Sequence, residues 1–267
     1  MFLCKLFRVP VILHLHGAEF REYYHDECSR FKQSWIRKTF SYADQIIVLS
    51  TQWHSWITSI VPTTSKISII YNSVPCLPDR QLKRTPFTVL FLGRLGQRKG
   101  VYDLLTISCT LAKEFPDYKL ILGGDGDIDF CKKFVHENTL EKNVDIVGWI
   151  SGDAKERLLS TSSIFILPSY NEGFPISILE AMSAGIPIIA STVGGIPDAI
   201  KSGEDGTLVA PGDLEALYTA LKDAFTNNNK HQSYATKAKI KFDSNFSLPV
   251  ITSKISAVYS SITSETK

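Results

Sequence analysis

Glu172 and Glu180 stand eight positions apart, at the two ends of Glu172-Gly173-Phe174-Pro175-Ile176-Ser177-Ile178-Leu179-Glu180. Ile164 to Leu167 reads as a short buried strand, and Ser177 to Ala184 as a helix that begins just past Pro175. That places Glu172 in the strand-to-helix loop and Glu180 about two turns further on, inside the helix. Between them lie the free N–H groups of a helix N-terminus, which suit an anion. A polyol beside a phosphate would use all three parts, one carboxylate for each set of hydroxyls and the amides for the phosphate. Sugar nucleotides have that shape. The bland alternative is a loop Glu acting as cap and dipole partner and a helix Glu on a solvated face.

A second segment adds cations. Phe87 to Leu92 is apolar and β-prone, and Gly93-Arg94-Leu95-Gly96-Gln97-Arg98-Lys99-Gly100 follows it. Val101 to Glu114 then carries helical spacing. A strand, a glycine-containing basic turn and a helix can set cations and amides around a phosphate, although basic turns at strand ends are often idle. No Gly-Lys-Ser/Thr follows at P-loop spacing, and Gly93 and Gly96 lack the partners of a dinucleotide fingerprint. Arg can fork onto two phosphate oxygens, while Lys acts as a point charge.

The elements that must position these groups alternate. Strands are expected at Val11–His16, Gln45–Leu49 and Lys66–Tyr71, with helices at Arg30–Tyr42 and Gln52–Ile60. Asn72 to Pro86 holds Pro75, Pro78 and Pro86 and reads as a linker. A second series is expected near Thr88–Leu92, Lys119–Leu122, Val144–Val147, Ile164–Leu167, Ile186–Ala190 and Thr207–Val209, closed by helices at Leu214–Asn227 and Phe246–Ile262. Such alternation implies α/β architecture with parallel sheets.

Composition narrows the function classes. Hydrophobic residues make up 44% and charged residues 21% of 267, which is ordinary for a globular protein. A formal charge of +2 without a dense basic run gives no reason to expect a nucleic-acid partner. Cys4, Cys28, Cys76, Cys109 and Cys131 show no CxxC spacing and read as thiols of a reducing compartment. No uninterrupted apolar segment reaches the ~18–20 residues that span a bilayer. Met1 to Leu15 is apolar but broken by Lys5, Arg8, Pro10 and His14, with no small-residue cleavage site, so a signal peptide is not expected. Lys5 and Arg8 beside Phe2, Leu3, Leu6 and Phe7 could form a membrane-surface helix, though an ordinary packed helix is the commoner outcome.

Together the two motifs resemble the retaining family-four glycosyltransferases of GT-B fold, the glycosyl transferases group 1. The resemblance runs from about Val11 to the C-terminus: His14-Leu15-His16-Gly17 is similar to the family's acceptor-side histidine segment, and Ile47-Val48-Leu49-Ser50 to its next strand and serine. Gly185 to Ser191 and Gly194-Gly195-Ile196-Pro197-Asp198 are similar to the segments that follow the carboxylate pair. The resemblance implies a complete C-terminal Rossmann-like domain over 87–245 and a partial N-terminal, acceptor-side one over 1–74, joined by a linker over 75–86. It also implies a crossover helix over 246–267 that returns to the N-terminal half. Several strands and a glycine-rich turn that open the family's N-terminal half have no counterpart in this sequence.

What the resemblance implies about chemistry follows residue by residue. Arg94 and Lys99 would hold the donor diphosphate of a UDP- or GDP-sugar without a metal, and Glu180 would accept from ribose hydroxyls. Glu172 would accept from hydroxyls of the transferred sugar, with the amides of Gly173, Phe174 and Ile176 closing around sugar and phosphate. His16 would lie near the sugar and acceptor as a positioning group. Ser50 would touch the donor phosphate or simply end a strand, and Gly148-Trp149-Ile150 would meet the base through backbone. Gly123-Gly124-Asp125-Gly126-Asp127 passes close to the nucleotide or is a plain turn. His14 and His16 share one face of a strand, yet no further ligands cluster nearby to make a metal site. Asp26, Glu27, Asp153 and Glu156 read as solvated charges. The implied activity is retaining transfer of a hexose to a glycan or lipid-linked acceptor, in the cytoplasm or at the inner face of the plasma membrane, in bacterial surface polysaccharide biosynthesis. A nucleotide-sugar-binding module without transfer and a GT-B epimerase are the alternatives.

Overall fold

The structure, a computed structural model, describes residues 2–7, 9–61, 67–78 and 82–264. In chain order the first elements are α1 (Phe2–Leu6), β1 (Ile12–His14), α2 (Phe20–Glu22, running into a π-turn at Tyr23–Glu27), α3 (Arg30–Ser41), β2 (Gln45–Val48), α4 (Thr51–Ile60) and β3 (Ile67–Ile69). The remainder comprises β4 (Thr85–Leu92), α5 (Val101–Glu114), β5 (Lys119–Gly123), α6 (Ile128–Glu137), β6 (Val144–Gly148), α7 (Gly152–Thr161) and β7 (Ser162–Leu167). It closes with α8 (Ile176–Ser183), β8 (Ile188–Ser191), α9 (Ile196–Ala199), β9 (Thr207–Val209), α10 (Leu214–Thr226), α11 (Asn228–Asn245) and α12 (Leu248–Ser264).

Two parallel sheets result. The first has the order β1-β2-β3, and the second β6-β5-β4-β7-β8-β9. The chain builds outward from β4 to β6 on one side, then crosses to β7 and builds outward on the other. The strand order therefore reverses between β4 and β7, and such a switch opens a crevice beyond the carboxyl ends of those strands. The basic loop leaves β4 there and the Glu172 loop leaves β7.

Burial on both faces explains why β4, β7 and β8 read as continuous apolar runs rather than alternating ones. Val89 to Phe91, Ile164 to Leu167 and Ile188 to Ala190 are all buried, and α5 and α8 cover them with Leu104, Leu105, Ile178 and Leu179. Ile46, Val48, Trp53, Trp56 and Ile57 form a separate core beneath α4. On the opposite face of the first sheet, Ile251 of α12 packs against Ile47 and Ile70. The final helix thus returns to the first sheet.

Several boundaries differ from expectation. Lys66 of the expected third strand and residues 79–81 of the expected linker lie outside the described residues. Thr85 and Pro86 open β4 instead of ending a linker, because Pro86 falls where the ladder is irregular and a residue with no N–H is tolerated. The pairing of β4 with β7 shifts register between Thr85 and Val89, and Phe87 adopts a positive φ of 55° there. α11 was not anticipated from sequence. It buries His231, Ala235, Ala238 and Phe242, and two alanines among polar residues give a faint apolar stripe. α1 does not pack as an ordinary helix: Leu3, Leu6 and Phe7 are exposed, while the Lys5 side chain and Arg8 lie outside the described residues.

Candidate active site

The loop after β4 is shaped by close backbone approaches. Buried Leu95 anchors it by pairing with Gly126, its N–H donating to the Asp125 carbonyl at 2.6 Å while Asp127 N–H donates to the Leu95 carbonyl at 2.9 Å. Gly100, at φ 70°, presses against β7's end, where a Cβ would sit 2.1 Å from the Pro168 carbonyl oxygen. The Tyr170 amide donates to the Arg98 carbonyl at 2.8 Å, lashing the β4 loop to the β7 loop. Lys99 Nζ consequently lies 2.6 Å from Glu172 Oε1, which also accepts from Ser169 Oγ at 2.7 Å. Glu172 is only 5% exposed.

The Glu172 loop is held from its other side as well. Gly194, at φ 57°, runs so close that a Cβ would meet the Glu172 carbonyl oxygen at 1.8 Å, and Gly195 N–H donates to the Gly173 carbonyl at 2.8 Å. Phe174 is buried between Tyr71 and Phe246, with ring centroids 4.7 and 5.5 Å away, and its carbonyl accepts from Asn72 Nδ2 at 2.7 Å. Burial, followed by the neighbouring Asp198 carboxylate, pushes the Tyr71 phenol up to about 12, so it stays a donor. Asp198 also accepts from the Thr51 amide and hydroxyl at 2.7 and 2.6 Å. These bonds join the loop to the first sheet's elements and fix its backbone before any ligand arrives.

α8 has Pro175 at its N-cap, which offers no capping side chain, and its first turn carries no acidic residue. Its N-terminal amides and positive dipole end therefore remain available to an anion. About one turn on, Glu180 Oε1 lies 2.5 Å from Lys155 Nζ, contributed by α7.

One cleft of about 770 Å³ gathers these groups, within the ~300–1,000 Å³ usual for ligand sites. Among its walls are His16, Arg94, Lys99, Glu172, Gly173, Phe174, Ile176, Glu180, Trp149 and Ile150. Gly123 and Gly124 line it too, so the glycine-rich segment after β5 faces the cleft. Four cations (Arg94, Arg98, Lys99, Lys155) oppose two carboxylates (Glu172, Glu180), leaving an excess of two positive charges along the walls.

Ser50 and Gly148 are not brought in. Ser50 is fully buried, where its hydroxyl caps α4 by accepting from the Trp53 amide at 3.2 Å, so it behaves as a strand-ending cap and not as a phosphate contact. Gly148 makes the turn at φ 69° and gives its carbonyl to Gly124 N–H at 2.8 Å, leaving Trp149, 76% exposed, to stand over the cleft. The His14 and His16 rings lie 4.1 Å apart, and burial and then the His16 charge lower the His14 pKa. Among the described residues no group of three or more His, Cys, Asp or Glu could hold a metal.

Sequence reasoning missed Lys155 and Arg98 as cleft residues, and Asn72 as an anchor. Lys155 sits between Asp153 and Glu156 in a helix that looked merely solvated. Arg98 stood within the basic turn, and its guanidinium pairs with Glu19 at 3.4 Å and donates to the Asn171 carbonyl at 3.3 Å.

Comparison with known proteins identifies the family and the fold. The family model for glycosyl transferases group 1 matches residues 78–241. A glycogen synthase of Mycobacterium tuberculosis is 26% identical over 233 residues, covering 85% of this chain and 56% of the relative. The lipopolysaccharide 1,6-galactosyltransferase of Salmonella typhimurium is 31% identical over 205 residues, covering 72% and 55%. The chain thus spans little more than half the length of these relatives. The crystal structure of Anabaena Alr3699/HepE in complex with UDP superposes with a TM-score of 0.84 at 21% identity, covering 97% of this chain and 74% of that one. With its GT-B arrangement of parallel sheets and a family match across most of its length, the chain belongs to the glycosyl transferases group 1.

Proposed function

We propose that the cleft binds a UDP- or GDP-sugar and that the chain transfers the hexose to a glycan or lipid-linked acceptor with retention of configuration. The observation that carries this reading is that one cleft gathers Glu172 with its partner Lys99, Arg94, the uncapped N-terminus of α8 and Glu180. Glu172 accepts from hydroxyls of the transferred sugar, and Glu180 from those of the ribose. The cations and the amides of Gly173, Phe174 and Ile176 surround the diphosphate, supplying by fixed charge the stabilisation that a metal gives elsewhere. The C1–O bond to the β-phosphate breaks as the acceptor oxygen bonds C1 on the same face, and the acceptor proton passes to the departing phosphate oxygen. No side-chain nucleophile takes part, and His16 positions sugar and acceptor.

The acceptor enters through a second cavity of about 210 Å³ that shares Glu172 and Ala18 with the cleft and is walled by Arg21, Gln52, Trp56 and Asn171. A role in bacterial surface polysaccharide assembly draws on the named lipopolysaccharide relative, and a UDP donor on the HepE complex. The test is incubation with UDP- and GDP-hexoses and glycan or lipid-linked acceptors, followed by proton NMR of the product. Products keeping the donor's anomeric configuration are expected. Inverted products would eliminate retention, and nucleotide binding without turnover would leave a binding module.

No helix among the described residues is long and apolar enough to cross a membrane. Peripheral contact with an anionic bilayer is nevertheless part of the proposal. α3 exposes Phe31 (72%) and Trp35 (59%) beside Arg30, Lys32, Arg37 and Lys38, and contains no acidic residue. Apolar rings with basic neighbours and no opposing charge suit a lipid–water interface. Cosedimentation with phosphatidylglycerol vesicles should fall severalfold in a Phe31→Ser/Trp35→Ser variant, and equal sedimentation with neutral vesicles would remove the proposal.

A further inference from the structure

We infer that the cavity beside Glu172 takes an uncharged pyranose ring of the acceptor, and that Gln52 and Asn171 are the specificity-determining residues that read its hydroxyls. This deepens the transfer reading above and rests on it. The cavity encloses about 210 Å³, below the ~300–1,000 Å³ that surrounds a drug-sized ligand. That is room for one sugar ring with its substituents. The walls come from elements of both sheets: Arg21 and Glu22 of α2, Gln52 and Trp56 of α4, and Asn171 in the loop after β7. Because Glu172 also lines the donor cleft, a ring held here lies beside the sugar to be transferred.

Charge decides against an anionic acceptor group. One guanidinium, Arg21, lines the cavity against two carboxylates, Glu22 and Glu172, whereas the adjoining cleft carries a cationic excess. Arg98, which lines the cleft, is turned to Glu19 at 3.4 Å and to the Asn171 carbonyl at 3.3 Å. A phosphate or carboxylate would be drawn past the cavity into the cleft, where it would compete with the nucleotide. Hydrogen-bonding capacity points the same way. Among the described residues the side-chain amides of Gln52 and Asn171 make no hydrogen bond to the protein. An amide both donates and accepts, as a hydroxyl does, so the two groups satisfy one another without a charge. The Trp56 indole N–H is already spent on His25 Nε2 at 3.1 Å, and its ring stands edge-on to Trp53 with centroids 5.1 Å apart. The tryptophans thus offer carbon surface to the C–H face of the sugar while the amides meet its hydroxyls.

Initial rates of transfer by the full chain, from UDP- and GDP-hexoses to 4-nitrophenyl glucoside, galactoside, N-acetylglucosaminide and glucuronide and to polyprenyl phosphate, test this. The best uncharged glycoside should exceed the glucuronide and the lipid phosphate by about tenfold or more in kcat/KM. Gln52→Leu and Asn171→Leu should each raise KM for that glycoside about fivefold, with kcat and the affinity for bare UDP or GDP changed less than about twofold. Leucine matches glutamine in helix propensity, so Gln52→Leu keeps α4 intact, and Asn171→Leu gives an independent route. Glu22→Gln should narrow the gap between glucuronide and glucoside. Preference for the glucuronide or for polyprenyl phosphate would overturn the inference, as would an unchanged KM in both leucine variants. Loss of nucleotide affinity in step with acceptor KM would assign the amides to the donor site and overturn it too. If nucleotide binds but no acceptor is glycosylated, the transfer reading itself falls and takes this inference with it.

Discussion

Glu172→Gln should lower kcat/KM for transfer by about 100-fold, consistent with the ~1.5–3 kcal/mol of a charge-assisted hydrogen bond. The carboxylate is nearly buried and takes bonds from Lys99 and Ser169 on one oxygen. An amide presents one oxygen and one N–H₂ group, so it cannot satisfy the ammonium, the serine and a sugar hydroxyl together. Affinity for the nucleotide without its sugar should hold or rise, because Lys99 loses its anionic partner and turns to the phosphate. Kinetics with the sugar nucleotide and titration with the bare nucleotide separate the two effects. Near-wild-type kcat/KM would remove Glu172 from the sugar subsite.

Arg84→Ala should destabilise the chain by roughly 3–5 kcal/mol, the largest stability effect expected of a single side chain outside the apolar core. Its guanidinium donates to the carbonyls of Leu159 (3.0 Å), Ser162 (2.9 Å), Ala184 (2.8 Å) and Gly185 (3.0 Å). Leu159 lies in the last turn of α7, and Ala184 and Gly185 follow the end of α8. The negative dipole ends of both helices thus meet one cation, which ties together the two helices carrying Lys155 and Glu180. Burial lowers the arginine pKa. Removing the side chain takes a charged donor from all four carbonyls at once. Lysine should recover only a fraction, since an ammonium lacks the planar fork. The urea unfolding midpoint reads both variants, and a loss below about 1 kcal/mol for alanine would contradict the assignment.

Arg84 also shows where sequence was a poor guide. It sat in a proline-rich stretch that reads as linker, and nothing local signals carbonyls that lie 75 to 101 positions away. Lys155 escaped notice for the same reason, because its partner is 25 residues distant on another helix. The carboxylate spacing and the basic turn were legible because each forms within one strand–loop–helix unit. Their meeting in one cleft depends on the strand order reversing between β4 and β7, a consequence of topology that no local spacing encodes. For Ser50 the sequence leaves both a cap and a phosphate contact open, because the two use the same hydroxyl and only burial tells them apart.

Direct titration of the chain with UDP and GDP, repeated on Lys99→Ala, probes the phosphate grip at the centre of the cleft. Saturable binding to one site is predicted, weakened tenfold or more by the alanine. Undiminished affinity in Lys99→Ala, or no binding of either nucleotide by the wild type, would contradict a donor site at this place.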